Sequence, residues 1–242
     1  MKNKVLIVED NTIFAVNLFN YLKSNNNLID IIGIASDGKE ALGIFEEKKP
    51  DIVILDLKIP IINGVELLKI FNSKNITVIL MSGEIKMIND INIFDFQIVK
   101  QVYIKPFEFD RLNEDLISII EDDYSQEMKG NIENELKYFN FNKNSKGYRY
   151  LIQCLENCYT EPKLLYNMEK DLFFKVSQEN HLQNSNIIKW SIQKSIVSME
   201  RYTDTNTILK YFPYSKNPTS KMFISTLSEI IIKKYKKYIY LK

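Results

Sequence analysis

The stretch VLIVEDN at residues 5–11 is an apolar run that ends in two acids, Glu9 and Asp10. A second apolar run, DIVIL at residues 51–55, ends in a third acid, Asp56. Each run is short and lacks strict alternation, which is typical of strands buried on both faces of a sheet. Both runs therefore predict central strands that deliver carboxylates at their carboxyl ends.

Two later apolar runs follow the same rule. ITVILM at residues 76–81 ends in the hydroxyl of Ser82, and QVYI at residues 101–104 ends in Lys105. In an open parallel sheet the carboxyl ends of the strands share one edge, where ligands bind. The sequence therefore predicts one site built from acids, a hydroxyl and a lysine.

Strand-like and helix-like patterns alternate over residues 1–122. Because parallel strands are joined by right-handed crossovers, this alternation predicts an α/β doubly wound, five-stranded parallel sheet of flavodoxin type, in the order 2-1-3-4-5. Asn11 and Asp37 are predicted helix N-caps. The predicted strands lie near residues 4–8, 29–34, 51–55, 76–81 and 100–104, and the predicted helices near residues 12–24, 38–48, 64–73, 86–96 and 108–121.

The composition is that of a soluble chain with room for two domains: 242 residues, 45% apolar and 26% charged. No apolar run approaches the roughly 20 residues that a bilayer span needs, and no signal peptide is recognisable, so we expect a cytoplasmic protein without membrane contact. Cys154 and Cys158 are expected to be buried thiols on one helix face.

The net charge of +1 conceals two halves of opposite sign. Residues 1–122 hold 13 Lys and Arg against 19 Asp and Glu, whereas residues 123–242 hold 19 against 12. A basic half suggests a polyanionic partner. The alternative is that acids simply collect at the sheet site and the remainder is basic without function.

Carboxylates that converge at strand tips repel one another unless a hard cation lies among them, and Mg²⁺ suits such oxygen ligands. An aspartate beside the metal is then able to attack phosphorus and form an aspartyl phosphate. The new phosphoryl group carries about two negative charges and needs a donor and a cation nearby. Ser82 and Lys105 are placed to supply them.

Residues 1–121 resemble the receiver domain of two-component response regulators through all of these motifs, including DLKIP at 56–60 and the Asn63-Gly64 pair. The resemblance implies that Asp56 is the phosphoacceptor, with Ser82 and Lys105 completing the catalytic set. It implies that Asp10 and Asp56 bind Mg²⁺ directly, Glu9 through water, and Leu57 or Lys58 through a backbone carbonyl. A histidine kinase or phosphotransfer protein would be the partner.

Two features depart from the family pattern. The usual Gly-Ala before the fifth strand is replaced by DFQIVKQV at residues 95–102, so the fourth helix is expected to end unusually. The family's switch aromatic lies three residues before the lysine, where this chain has Val102. Tyr103 follows it and, by strand alternation, should face the other side of the sheet. Without its usual relay from the phosphate, such a receiver has two alternatives: it works constitutively, or it responds to something other than phosphate.

Lys58 and Glu84 each lie two residues beyond a site residue, on loops expected to face each other. If they pair, they would obstruct a water molecule aligned for attack on the aspartyl phosphate. We therefore hypothesise a long-lived phosphorylated state. The alternative is an exposed ion pair that contributes little.

The remainder of the chain is predicted to be a linker at residues 123–146, with a short helix at 131–140, and an all-α domain at residues 147–242. Within that domain, residues 168–180 and 186–201 predict a helix-turn-helix around a polar turn at 181–185. The second helix has an apolar stripe formed by Ile188, Ile192, Ile196 and Met199. Its predicted DNA-contacting side chains are Lys189, Trp190, Gln193 and Lys194.

Residues 147–232 resemble the carboxyl-terminal domain of the stage zero sporulation response regulator A, a helix-turn-helix unit that binds DNA as a dimer. The resemblance rests on GYRYL at 147–151, the isoleucine stripe, and NPTS at 217–220 followed by Phe223-Ile224. The family's base-reading arginines fall at Trp190 and Gln193 and its histidine at Lys194, so its operator preference does not carry over. Trp190 either packs against a neighbour or contacts DNA.

The sequence therefore predicts a response regulator, not an enzyme, in which phosphorylation of Asp56 controls sequence-specific DNA binding and transcription. A role in sporulation and a homodimeric active form follow from the second resemblance. One alternative is a signalling adaptor whose helical half binds protein and not DNA. The other is an atypical regulator that works independently of phosphorylation. The basic tail at residues 233–242 either follows phosphate or is a solvated end.

Overall fold

The computed structural model of the chain describes residues 2–89, 91–92 and 95–235. Two compact units divide between Asp123 and Tyr124. Of the basic tail, residues 236–242 lie outside the described residues.

The first unit alternates strands and helices as predicted. Its strands are β1 (Asn3–Val8), β2 (Ile29–Ala35), β3 (Ile52–Asp56), β4 (Thr77–Ser82) and β5 (Val99–Ile104). Its helices are α1 (Thr12–Asn25), α2 (Gly38–Lys48), α3 (Gly64–Phe71), α4 (Ile85–Asn89) and α5 (Phe109–Leu136).

All strand pairs are parallel and the sheet order is β2-β1-β3-β4-β5, which confirms the predicted topology. Strands β3 and β4 are buried along their whole length. The reason is that helices cover both faces: Leu18 of α1 and Leu116 of α5 belong to the core on one face. Ala41 of α2 and Leu67 of α3 belong to the core on the other.

Helix N-caps and a glycine fix the conformation of the loops that follow the strands. The Asn11 side chain accepts the N–H of Phe14 at 3.1 Å, and Asp37 caps α2 in the same way, which confirms both predicted caps. Gly64 begins α3 so close to β3 that a Cβ there would lie 2.4 Å from the carbonyl oxygen of Asp56. Only glycine fits this approach, which holds the loop against the strand end.

The fourth helix differs from the prediction. It spans Ile85–Asn89 rather than residues 86–96, and the described residues between it and β5 are not α-helical. Several of these apolar residues, including Ile91, Phe96 and Ile98, instead pack against the core beside α3. Tertiary packing therefore overrides the helical pattern in this segment.

The second unit is all helical. It contains α6 (Lys146–Thr160), α7 (Phe173–Glu179), α8 (Asn186–Glu200), α9 (Thr205–Tyr211) and α10 (Ser220–Tyr235). A 3₁₀ turn (Pro162–Leu165) and a π-helical turn (Met168–Leu172) precede α7. Cys154 and Cys158 are buried free thiols in its core, as expected.

Helix α5 is longer than predicted and includes the first half of the segment predicted as a linker at residues 123–146, together with most of the short helix predicted at 131–140. Helix α5 continues to Leu136, and Met128, Ile132 and Leu136 repeat every four residues along one face. These side chains and Phe139 belong to the hydrophobic core of the second unit. The acidic residues at 121–123 therefore lie within α5.

The predicted helix-turn-helix region is present, with its first helix divided into the π-helical turn and α7. The turn passes through His181, whose φ of 54° lies in the left-handed region. All four side chains of the apolar stripe on α8 are buried, which confirms the predicted orientation of that helix. Within the described residues, no helix is both long and apolar enough to cross a bilayer.

Candidate functional site: an acidic pocket and an exposed helix

The predicted acids converge at the carboxyl edge of the sheet. Carboxylate oxygens of Glu9, Asp10 and Asp56 lie within 4.8 Å of one another. Glu9 and Asp56 are only 2% and 4% exposed, whereas Asp10 faces solvent. The strands deliver them together because β1 and β3 are neighbours in the sheet and end at the same level.

Lys105 joins the two buried acids. Its ammonium group lies 2.5 Å from Oε2 of Glu9 and 2.6 Å from Oδ2 of Asp56. The same nitrogen lies 4.6 Å from the centre of the Phe14 ring, a cation–π contact that the sequence analysis missed. Burial raises the pKa of Glu9, the hydrogen bond from Lys105 lowers it, and the charge of Asp56 raises it further, with a net upward shift.

Backbone groups complete the pocket. Oδ1 of Asp56 accepts the N–H of Lys58 at 3.0 Å. The Leu57 carbonyl already accepts the N–H of Gly64, which favours Lys58 as the residue whose carbonyl faces a metal. Ser82 is buried, and its hydroxyl accepts the N–H of Glu84 at 3.0 Å.

The loops above the pocket meet through their side chains. The ammonium nitrogen of Lys58 lies 2.5 Å from Oε1 of Glu84, so the two residues pair as hypothesised. Both side chains are well exposed, at 70% and 48%. The pair therefore lies at the protein surface.

Val102 and Tyr103 face opposite sides of the sheet, as strand alternation predicts. Val102 packs against the core beside α3. Tyr103 packs against the core of α1 and α5, where its hydroxyl donates to Asp115 and to the Arg111 carbonyl. Burial and the Asp115 carboxylate both raise the pKa of Tyr103. The position of the family's switch aromatic thus holds an aliphatic side chain.

The four side chains predicted to contact DNA have different surroundings on α8. Trp190 is 63% exposed, and Lys194 is also exposed. Lys189 is paired with Glu169 at 2.8 Å. Trp190, predicted either to pack against a neighbour or to contact DNA, thus has a largely exposed ring.

Gln193 differs most from its prediction. Its Oε1 accepts the N–H of Ser220 at 2.6 Å, and its Nε2 donates to the Pro218 carbonyl at 3.4 Å. The side chain therefore joins α8 to the start of α10 instead of standing free to read a base. The sequence shows no signal for this contact, because the partners lie 25 and 27 residues away.

A doubly wound sheet with acids, a hydroxyl and a lysine at its carboxyl edge defines a receiver-type signalling protein. Residues 5–117 match the family model described as the response regulator receiver domain. Residues 132–231 match the family model described as the sporulation initiation factor Spo0A C terminal. The chain therefore belongs to the response regulators and joins a receiver domain to a carboxyl-terminal domain of the Spo0A type.

Curated relatives match over short segments. A protein-glutamate methylesterase/protein-glutamine glutaminase of Clostridium acetobutylicum is 36% identical over 62 residues, which are 26% of this chain and 18% of that protein. The transcriptional regulatory protein PdtaR of Mycobacterium tuberculosis is 40% identical over 57 residues, 24% of this chain and 27% of that protein. The chain thus spans about a quarter or less of the length of these relatives.

Solved receiver domains resemble the first unit. The REC domain of AraT from Geobacillus stearothermophilus is 26% identical, with a TM-score of 0.47, over 52% of this chain and 98% of that chain. The receiver domain of Francisella response regulator 1452 is 30% identical, with a TM-score of 0.40, over 46% of this chain and 91% of that chain.

Proposed function

We propose that phosphorylation of Asp56 controls sequence-specific DNA binding by the second unit, and with it transcription, including that of genes for sporulation. The observation that carries the proposal is the convergence of Glu9, Asp10 and Lys105 on Asp56 at one sheet edge. The Spo0A-type domain supports the output, and the basic charge of the second half agrees with it.

The chain's own residues support phosphoryl transfer to Asp56. A carboxylate oxygen of Asp56 forms the new bond to phosphorus while the bond to the donor's leaving group breaks. Lys105, 2.6 Å from Asp56, neutralises the oxygens of the incoming group. The Ser82 hydroxyl accepts the N–H of Glu84 at 3.0 Å and donates to the Glu84 carbonyl at 3.3 Å, so it would exchange that carbonyl for a phosphoryl oxygen.

The donor set fits Mg²⁺, which prefers carboxylate, carbonyl and water oxygens. We propose Asp10, Asp56 and the Lys58 carbonyl as direct ligands, with Glu9 acting through water. When bound, the ion supplies positive charge that reduces repulsion between the carboxylates and the phosphoryl oxygens. Lys105 already offsets part of that repulsion for the two buried acids.

The proposal extends to partners and organisation. A histidine kinase or phosphotransfer protein would supply the phosphoryl group, and the active form would be a cytoplasmic homodimer on DNA. We propose residues 1–122 as the phosphoacceptor domain and residues 147–242 as the effector domain. Residues 123–146, with their share of α5, would join the two.

A signalling adaptor remains a second candidate because of two observations on α8. Trp190 presents a large exposed ring, which is common at protein interfaces, and Lys189 is already paired with an acid. The two candidates differ in salt dependence. Contacts with DNA phosphates give a steep loss of affinity with salt, whereas an apolar protein interface does not.

The test is enrichment of genomic fragments by the full chain, with and without a small-molecule phosphodonor and Mg²⁺. We expect enrichment of specific fragments that increases on phosphorylation. Asp56→Ala should lose the increase but keep its fold, while Asp30→Asn, a change at an exposed acid on β2, should keep both. Salt-insensitive fragment binding, or none, would favour the adaptor.

A further inference from the structure

Two lysines from different helices converge on one carboxylate oxygen in the second unit. The ammonium nitrogens of Lys189 on α8 and Lys221 on α10 lie 2.8 and 2.7 Å from Oε1 of Glu169. Glu169 lies in the π-helical turn that precedes α7. Its carboxylate is half exposed, so this junction is open to a ligand.

Packed elements hold the two lysines together. The Gln193 side chain accepts the N–H of Ser220, the first residue of α10, at 2.6 Å. Ser220 is itself 2% exposed. Lys221 follows Ser220, and Lys189 lies one helical turn before Gln193 on α8. The contact between the helices therefore keeps the two lysines near each other.

Like a DNA phosphodiester, the Glu169 carboxylate between the two lysines is an anionic hydrogen-bond acceptor. Hydrogen bonds from Lys189 and Lys221, together with their charges, lower the pKa of Glu169 to about 2, so it is ionised at neutral pH. An anionic oxygen that accepts two charge-assisted hydrogen bonds has the same requirements as a phosphate oxygen of the DNA backbone.

We propose that Lys189 and Lys221 form a binding site for a DNA backbone phosphate, and that Glu169 occupies this site in the free protein as an internal competitor. The inference rests on the proposed DNA-binding function and adds to it a residue that limits affinity. Binding is an exchange in which the carboxylate leaves both lysines and a phosphate oxygen takes its place. Lys189 then positions the helix on the backbone and carries no base readout.

The same unit offers a matched control. Glu161 also pairs with two lysines, Lys163 at 2.7 Å and Lys175 at 3.0 Å, and its pKa is likewise lowered to about 2. Neither of these lysines lies on α8 or α10. Glu161→Gln therefore changes the net charge by the same amount as Glu169→Gln and breaks an equivalent pair of contacts.

The experiment measures binding of the full chain to a mixed-sequence DNA duplex by fluorescence anisotropy over a series of salt concentrations. We expect Glu169→Gln to tighten binding roughly fivefold relative to Glu161→Gln at low salt. Adding Lys189→Met and Lys221→Met to Glu169→Gln should abolish the gain and reduce the slope of log affinity against log salt by about one per lysine. Thermal melts establish that each variant is folded.

The outcomes separate the two claims. Equal affinities for the Glu169 and Glu161 variants, or weaker binding by Glu169→Gln, would overturn the internal competitor and leave DNA binding intact. Absence of salt-dependent binding by the wild-type chain would overturn the proposed DNA-binding function, and the competitor with it.

Discussion

The ammonium nitrogen of Lys105 lies 2.6 Å from Oδ2 of Asp56, and the same nitrogen also bonds the carboxylate of Glu9. Both acids are buried, and unpaired buried carboxylates are costly. Lys105 therefore offsets their charge, and under the proposed function it also lies in place for an incoming phosphoryl group. The same two ion pairs thus stabilise the buried acids at the sheet edge and belong to the proposed phosphorylation site.

Metal binding should depend on the exposed acid of the pocket. Asp10→Asn removes a proposed direct ligand, so we expect the affinity for Mg²⁺ to fall roughly tenfold or more by titration calorimetry. Glu47→Gln removes one charge from an exposed site on α2 and should bind Mg²⁺ as the wild type does. Unchanged affinity in Asp10→Asn would exclude Asp10 as a ligand.

The lifetime of the phosphorylated state should depend on the Lys58–Glu84 pair. Lys58→Ala or Glu84→Ala opens the solvent side of Asp56 to water, so both variants should lose the phosphoryl group faster than the wild type. The measurement is the decay of phosphoprotein after removal of the donor. Lys86→Ala, a change at a nearby exposed lysine, serves as the control. Equal lifetimes in all four proteins would contradict a shielding role.

Alanine substitutions at two glycines in the second half of the chain should have opposite effects on the free energy of unfolding. A Cβ on Gly147 would lie 1.9 Å from the Ser191 carbonyl oxygen, so Gly147→Ala should lower the free energy of unfolding by about 1–3 kcal/mol or more. Nothing lies within 4 Å of a Cβ on Gly130, inside α5, where alanine should add about 0.4–1 kcal/mol. Urea denaturation measures both. A neutral Gly147→Ala would contradict the close approach of α6 to Ser191 on α8, and destabilisation by Gly130→Ala would contradict the open space beside α5.

A buried acid should make the second unit sensitive to acid. Glu135 is 2% exposed and accepts hydrogen bonds from Lys234 and Tyr235, both at 2.7 Å. Burial alone would raise the pKa of Glu135, but these hydrogen bonds outweigh it and lower the pKa. A lowered folded-state pKa gives stability that is present above the unfolded pKa and is lost as pH falls through the folded value.

Glu135→Gln should therefore cost about 1–3 kcal/mol of unfolding free energy near neutral pH. The difference from the wild type should shrink as the pH falls below about 4.3, the usual glutamate pKa. Urea denaturation followed by circular dichroism at several pH values measures this. A difference that stays constant from neutral to acid pH would show that Glu135 does not titrate as described.

The sheet and its site were predictable because the signals are local. Four of the five strands, all except β2, are short apolar runs that end in a candidate site residue. Parallel strands bring those ends together, as the contacts of Lys105 with Glu9 and Asp56 demonstrate. The Lys58–Glu84 pair was also predictable, because each residue lies two positions past a strand tip. The length of helix α5 was underestimated. The acidic residues at 121–123 suggested a linker, although Met128, Ile132 and Leu136 repeat every four residues along one helix face.

The surroundings of α8 could not be predicted from its own sequence. The amphipathic pattern correctly predicted that the apolar stripe is buried. It gave no indication that the outward polar side chains have partners on other elements. Lys189 forms an ion pair with Glu169, twenty residues earlier in the chain. Gln193 accepts a hydrogen bond from the N–H of Ser220, twenty-seven residues later. Such contacts depend on how the helices pack, which periodicity does not specify.

The central claim is that Asp56 accepts a phosphoryl group, and intact-protein mass measurement after incubation with a small-molecule phosphodonor and Mg²⁺ tests it most directly. We predict that the wild-type chain gains one phosphoryl group and that Asp56→Asn gains none, while Asp51→Asn, at the opposite end of the same strand, gains one. Modification of Asp56→Asn to the wild-type extent, or an unmodified wild-type chain, would contradict the account.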